Sequence, residues 1–155
     1  MTDNVIDMNE ARITVTNLDI KQLLEPGPVN TAFNKLQGMT APYGKTQYWI
    51  FKLLKQLLSI HDDIEKTRQT LMIPFVLKDE NNQPKQENGR VVFINDEASL
   101  EFNRQFIEVL KEENKLNLKK IPVSSDMLEE MNKKTEDKLT LSDMWVLDKI
   151  IDFIE

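Results

Sequence analysis

The apolar positions of this chain fall into a series of short patterned runs, one of them much longer than the rest. Ile50, Leu57, Ile64 and Leu71 recur every seven residues, with Leu53 and Ile60 three residues after the first two and Leu54 widening the stripe. That period predicts an amphipathic helix over 46–73, on the order of 40 Å long at ~1.5 Å per residue. Pro74 ends it or bends it. Residues 78–89 are almost entirely polar, and the β-branched and aromatic run 91–94 follows them. With 75–77 they predict a β-hairpin or long loop at the tip of a turn. Asn95 or Asp96 then caps a second long helix to about Glu113, with Ala98, Phe102, Phe106, Val109 and Leu110 on one side. Two helices joined by a polar tip bury their stripes against each other or against a partner chain. The expected seam runs antiparallel through Ile50, Leu57, Ile64, Phe102, Phe106 and Val109.

Before this hairpin, Ala11, Ile13 and Val15 alternate with Arg12, Thr14 and Thr16, the pattern of a half-buried strand. Thr16 and Asp19 have capping-box spacing and open a short helix with Leu18, Ile20, Leu23 and Leu24, which Glu25-Pro26-Gly27-Pro28 stops. Asn30 is placed to cap another, carrying Val29, Ala32, Phe33 and Leu36, with Gly38 just past its end. After the hairpin, Leu116, Leu118, Ile121 and Val123 read as strand, with Pro122 favouring an edge. Ser125 caps a short helix through Met131, and the charged connector 132–138 is the candidate mobile loop. Thr140 and Asp143 form a second capping-box spacing, opening a last helix with Leu141, Met144, Trp145, Leu147, Ile150, Ile151 and Ile154. There is no internal repeat of 20 to 50 residues. The expected fold class is α+β with helices dominant, divided into an N-terminal arm (1–44) and a helical-hairpin domain (45–155).

Composition narrows the function classes. The 155 residues suit one domain with a real core, and 40% hydrophobic with 30% charged residues is ordinary for a globular protein. No stretch approaches the ~20 apolar residues that span a bilayer, and the polar, acidic first ten residues resemble no signal or transit peptide. The absence of cysteine excludes disulfides, thiolate nucleophiles and Cys-based zinc sites. A net charge of −6, with acids interspersed among lysines, disfavours direct nucleic-acid binding, which needs a clustered basic face.

The candidate chemistry is thin. Gly44-Lys45-Thr46 has the end of a phosphate-binding loop but Met39 where that loop needs glycine, and the preceding segment reads as helix. A helix start, with Thr46 as cap, explains it. His61 is the only histidine; flanked by Asp62 and Asp63, with Glu65 one turn on, it has no second histidine or cysteine to complete a metal set. The pairs Glu129-Glu130, Glu112-Glu113 and Asp62-Asp63 point about 100° apart on helices, which suits solvated surface better than acid–base work. Hence no catalytic, cofactor or metal residues are expected. Tyr48, Trp49 and Phe51 crowd one helix and cannot all face one side. Either they and Trp145 belong to a small core, or they face another subunit. Seven methionines, Met127, Met131 and Met144 among them, suit adaptable packing in both cases. The lone strand 11–16 must pair with 116–118, with 91–94, or with another chain, because it cannot satisfy its own backbone groups. The breaks around it favour an arm reaching a second chain by strand addition. Ile13, Val15, Tyr48, Trp49, Phe51 and Trp145 are accordingly the candidate interface residues.

The order of elements from Lys45 onward resembles small proteins of tailed-phage and prophage genomes. The resemblance lies in Lys78-Asp79-Glu80-Asn81-Asn82 and Gly89 at the tip, then Glu101-Phe102-Asn103, then Leu116-Asn117-Leu118, then Leu141-Ser142-Asp143-Met144-Trp145 running to Glu155. It covers roughly the last 110 residues, and 1–44 departs from it. What the resemblance implies is a phage-encoded, non-enzymatic structural or assembly protein, present in the host cytoplasm and then the virion. Its partners would be itself or other phage proteins. The alternative is a phage-encoded inhibitor of a host defence or housekeeping enzyme.

Overall fold

The computed structural model describes residues 12–40 and 43–155. Strand β1 (Arg12–Thr16) alternates between exposed and buried positions, and Ile13 and Val15 are the buried ones. It pairs antiparallel with β4 (Glu113–Lys119), Thr14 opposite Lys115 and Thr16 opposite Glu113. The strand expected from Ala11 therefore exists from Arg12, Ala11 lying outside the described residues, and its partner is the Leu116–Leu118 segment of the same chain. Asn17 secures the exit from the strand: its amide N–H donates to the Glu112 carbonyl and its side chain donates to the Val109 carbonyl at 2.7 Å.

The Thr16–Asp19 capping box is formed and opens helix α1 (Asn17–Leu24). Helix α2 (Pro28–Met39) begins one turn earlier than an Asn30 cap implies. Proline at its first position needs no N–H partner, and Asn30 instead donates its side-chain amide to the Leu23 carbonyl, tying α2 to α1. Ile20, Leu23, Ala32, Phe33 and Leu36 from these helices are buried.

Helix α3 (Gly44–Met72) is the long helix that the heptad stripe predicts, and a 3₁₀ turn at Ile73–Phe75 containing Pro74 ends it. Its 29 residues span about 43 Å. The stripe is buried, but only in part against the expected partner. Ile50, Leu53, Leu57 and Ile64 share one core with Ile13, Ile20, Phe33 and Leu116. Helix α4 (Asp96–Leu110), capped by Asn95, is only 15 residues long and packs near the far end of α3. There Phe102 joins Met72 and Val76 in a smaller cluster, and Phe106 touches both clusters. The predicted Ile50-to-Val109 seam is thus corrected: a helix of ~22 Å cannot cover one of ~43 Å, and the N-terminal segment together with 116–123 covers the rest. The division at residue 44 is corrected with it, since residues on both sides of it build one core.

Between α3 and α4, Val76 bridges Phe93, and β2 (Gln86–Glu87) pairs with β3 (Arg90–Val91). Asn88 and Gly89 close that hairpin with φ of 54° and 77°, the two left-handed positions of a type I′ turn. Most of 78–89 is exposed, with Pro84 half-buried. Replacing 78–89 by a single Asn-Gly should therefore move the melting temperature by no more than about 3 °C in circular dichroism. A larger drop would mean that the tip stabilises the body.

The C-terminal region differs most from expectation. Strand β5 (Ile121–Ser124), with Pro122 exposed, leads into helix α5 (Ser125–Lys133), capped by Ser124 rather than Ser125. The Thr140–Asp143 capping box opens helix α6 (Leu141–Val146), which stops after six residues. The predicted last helix is corrected there: 147–150 turn, and β6 (Ile151–Ile154) runs parallel to β5. The Ile121 N–H donates to the carbonyl of Ile150, just before β6, and the parallel pairing from Ile121–Ile151 onward gives β5 a strand partner. The result is a helix-dominated α+β fold with two-stranded sheets, as the class expectation has it. No helix among the described residues is long and apolar enough to cross a membrane.

Candidate interaction surface

The stripe that buries Ile50, Leu53 and Leu57 dictates what α3 shows to solvent. Residues 48, 51, 55 and 58 lie on the opposite side of a 3.6-residue helix. Tyr48 is 51% exposed and Phe51 57% exposed, with Leu58 beside them. Trp49 sits at the edge of this face, edge-on to Tyr48 with ring centroids 5.4 Å apart. Lys52 lies over the Tyr48 ring at 5.5 Å and Lys55 over the Phe51 ring at 5.7 Å. These cation–π contacts hold the rings and ammonium groups together as one basic, aromatic surface.

A second apolar surface is built by α6. Leu141 and Trp145, one turn apart, share a helix face, and they are 82% and 83% exposed. The chain can display them because neighbouring residues hold α6 down. Leu147, Ile150 and Ile151 are buried, and Asp143 pairs with Lys35 of α2 at 3.0 Å. Met144, Asp148 and Phe153 complete a shallow groove of about 490 Å³ around Trp145.

The six predicted interface residues therefore divide. Tyr48, Trp49, Phe51 and Trp145 lie exposed, whereas Ile13 and Val15 are core residues and are withdrawn from any interface. Sequence reasoning missed Leu141, which it named only as part of the last helix, and Leu58. Both were readable from the helical period once Leu147 and Leu57 were taken as the buried positions.

Among the described residues, Glu25, His61 and Glu65 bring ligand-type atoms within 4.8 Å of one another. The His61 Nε2 lies 3.1 Å from a Glu25 carboxylate oxygen, a contact invisible in sequence because Glu25 comes from the end of α1. The site already holds its cations. Lys21 Nζ is 3.1 Å from Glu25 and 3.9 Å from Glu65, and Arg68 Nε is 3.0 Å from Glu65. A metal ion would have to displace Lys21, so the cluster reads as an ionic clasp between α1 and α3. Gly44 opens α3, and Thr46 is buried with its hydroxyl toward the Met127 sulfur, an arrangement unlike a phosphate loop. Glu129, Glu130 and Asp62 pair with lysines one turn on, at Lys133, Lys134 and Lys66.

The two capping boxes carry the pH dependence. Burial alone would raise the Asp19 carboxyl, but the Thr16 N–H and hydroxyl and the Lys149 ammonium hold it below its ordinary 3.8. Burial acts likewise on Asp143, and Thr140 and Lys35 lower it. On α4, the Arg104 guanidinium and the Gln105 amide bring Glu101 down to about 2. A carboxyl depressed by folding adds stability above its unfolded value and loses it as pH falls through its folded value. Melting temperature should be flat with respect to these groups above about pH 5 and fall below about pH 4. Asp19→Asn should lessen that acid sensitivity. NMR carboxyl titration should place Asp19 and Asp143 below 3.8; midpoints at or above it would contradict the capping account.

Compared with protein-family models, with curated proteins and with solved structures, the chain matches none of them.

Proposed function

We propose that this chain is a non-enzymatic structural or assembly protein of a tailed bacteriophage, acting by protein–protein contacts as a virion component or adaptor. The observation that carries the contact role is the display of Leu141 and Trp145, each more than four-fifths exposed, on a helix whose neighbours are firmly buried. Exposing a tryptophan beside a leucine on an anchored helix leaves apolar area in water that only a partner removes, and aromatic anchors of this kind dominate interface energetics. The phage setting is supported by the element order from Lys45 to the C-terminus. On this reading the protein accumulates in the host cytoplasm and then enters the particle. Mass spectrometry of purified particles tests it: the chain should co-purify in fixed stoichiometry with particle proteins. Its exclusion from particles, together with retention on a host enzyme, would overturn the proposal.

A further inference from the structure

Charge is unevenly distributed between the two exposed apolar surfaces. From Pro26 to His61 the chain contains no acidic residue, although it has 26 in all, and this interval carries Lys35, Lys45, Lys52 and Lys55. The exposed face of α3 in that interval is aromatic and basic, with Lys52 and Lys55 folded over Tyr48 and Phe51. The α6–β6 surface has the opposite character. Asp148 lines the groove beside Leu141 and Trp145, and Asp152 and Glu155 follow in the same C-terminal segment, all three exposed. The one lysine of that segment, Lys149, is engaged with Asp19, both carboxylate oxygens lying 2.9 Å from its Nζ.

We infer that the basic aromatic face of α3 in one copy docks on the acidic Leu141–Trp145 surface of a second copy. The inference deepens the proposed function and rests on it for reading the exposed apolar residues as contact surface. The two faces match in both respects that a contact needs. Each offers apolar anchors that lose water on meeting, and their charges are of opposite sign. Because every copy carries both halves, any solution of the protein contains the complementary surface at its own concentration. A foreign acidic partner would use only the α3 face and would leave Trp145 uncovered. A contact between unlike faces is heterologous, so successive copies can add through the same pair of surfaces. That property suits a component present in many copies.

Sedimentation of the full chain tests the contact. At about 0.05 M salt the protein should associate with rising concentration, and at about 0.5 M, where screening is stronger, the association should weaken. Trp145→Ala should weaken it on the order of 30-fold with an unchanged circular dichroism spectrum, because that side chain is 83% exposed. Lys52→Glu with Lys55→Glu should be monomeric alone, and so should Asp148→Lys with Asp152→Lys. An equimolar mixture of the two double variants should associate again, each meeting opposite charge at both faces. A wild-type chain that stays monomeric at low salt, double variants that associate like the parent, or a mixture that does not recover would each overturn the inference. Charge-swapped recovery in a protein absent from purified particles would remove the phage reading and leave this contact standing. Presence in particles, with self-association indifferent to all four charges, would do the reverse.

Discussion

A chain beginning at residue 29 should fail to fold. The deletion removes Ile13, Val15, Ile20 and Leu23, all buried in the main core. It also takes away the strand that pairs with β4 and leaves Leu116 and Leu118 uncovered. Truncating a single large buried aliphatic side chain to alanine costs about 2–5 kcal/mol. Losing four residues of that kind, about 8–20 kcal/mol on the same scale, matches or exceeds the ~5–15 kcal/mol by which a domain is stable. The loss of Asn17 compounds it, because Asn17 bonds Val109 and receives the Asn114 side-chain amide at 2.8 Å. Far-UV circular dichroism should show most of the helix gone and no cooperative melting transition. A truncated protein that melts sigmoidally with native helix content would mean that 29–155 is self-sufficient. The breaks around this strand favour an arm free to reach another chain, but Ile13 and Val15 pack into the chain's own core. Alternation fixes which side of a strand is apolar, but says nothing about whose residues cover it.

That limit explains most of what the sequence left unread. Features set by contacts three or four residues apart were legible: both capping boxes, the length of α3, the stop at Pro74 and the Asn95 cap. Those depending on a distant partner were not. The stripe of α3 was recognised as buried, but the helix after the tip covers only its far end, and α1 and β5 supply much of the remaining cover. In the C-terminal segment, Leu147, Ile150, Ile151 and Ile154 fit a helical period. Pairing with β5 makes Ile151–Ile154 a strand instead, a tertiary contact overriding a local pattern. The candidate surface was partly legible for the same reason. Tyr48 and Phe51 sit opposite Ile50 and Leu57 by helix geometry alone, whereas the outward aim of Leu141 depends on where α6 ends. The Glu25–His61 contact joins positions 36 residues apart and had no local signal.

Two phenylalanines separate the core from the proposed docking face within one chemical change. Phe33, in α2, has no exposed surface and is the largest of the fully buried side chains, whereas Phe51 is 57% exposed on α3. Phe33→Ala removes an aromatic ring from a closed core, and because α1, α2 and α3 are tied together around it, the site can collapse only in part. The expected loss is about 3–5 kcal/mol in urea denaturation, enough to leave the variant partly unfolded near body temperature if the parent lies at the low end of domain stability. Phe51→Ala removes the same atoms from a surface already in water, and its cost to the isolated protein should be within about 0.5 kcal/mol. Its effect should fall on association instead, since the ring beneath Lys55 is one of the apolar anchors of the α3 face. Equal losses of stability in the two variants would show that Phe51 is covered in the free protein. A stable Phe51→Ala protein that associates as strongly as the parent would remove this ring from the docking face.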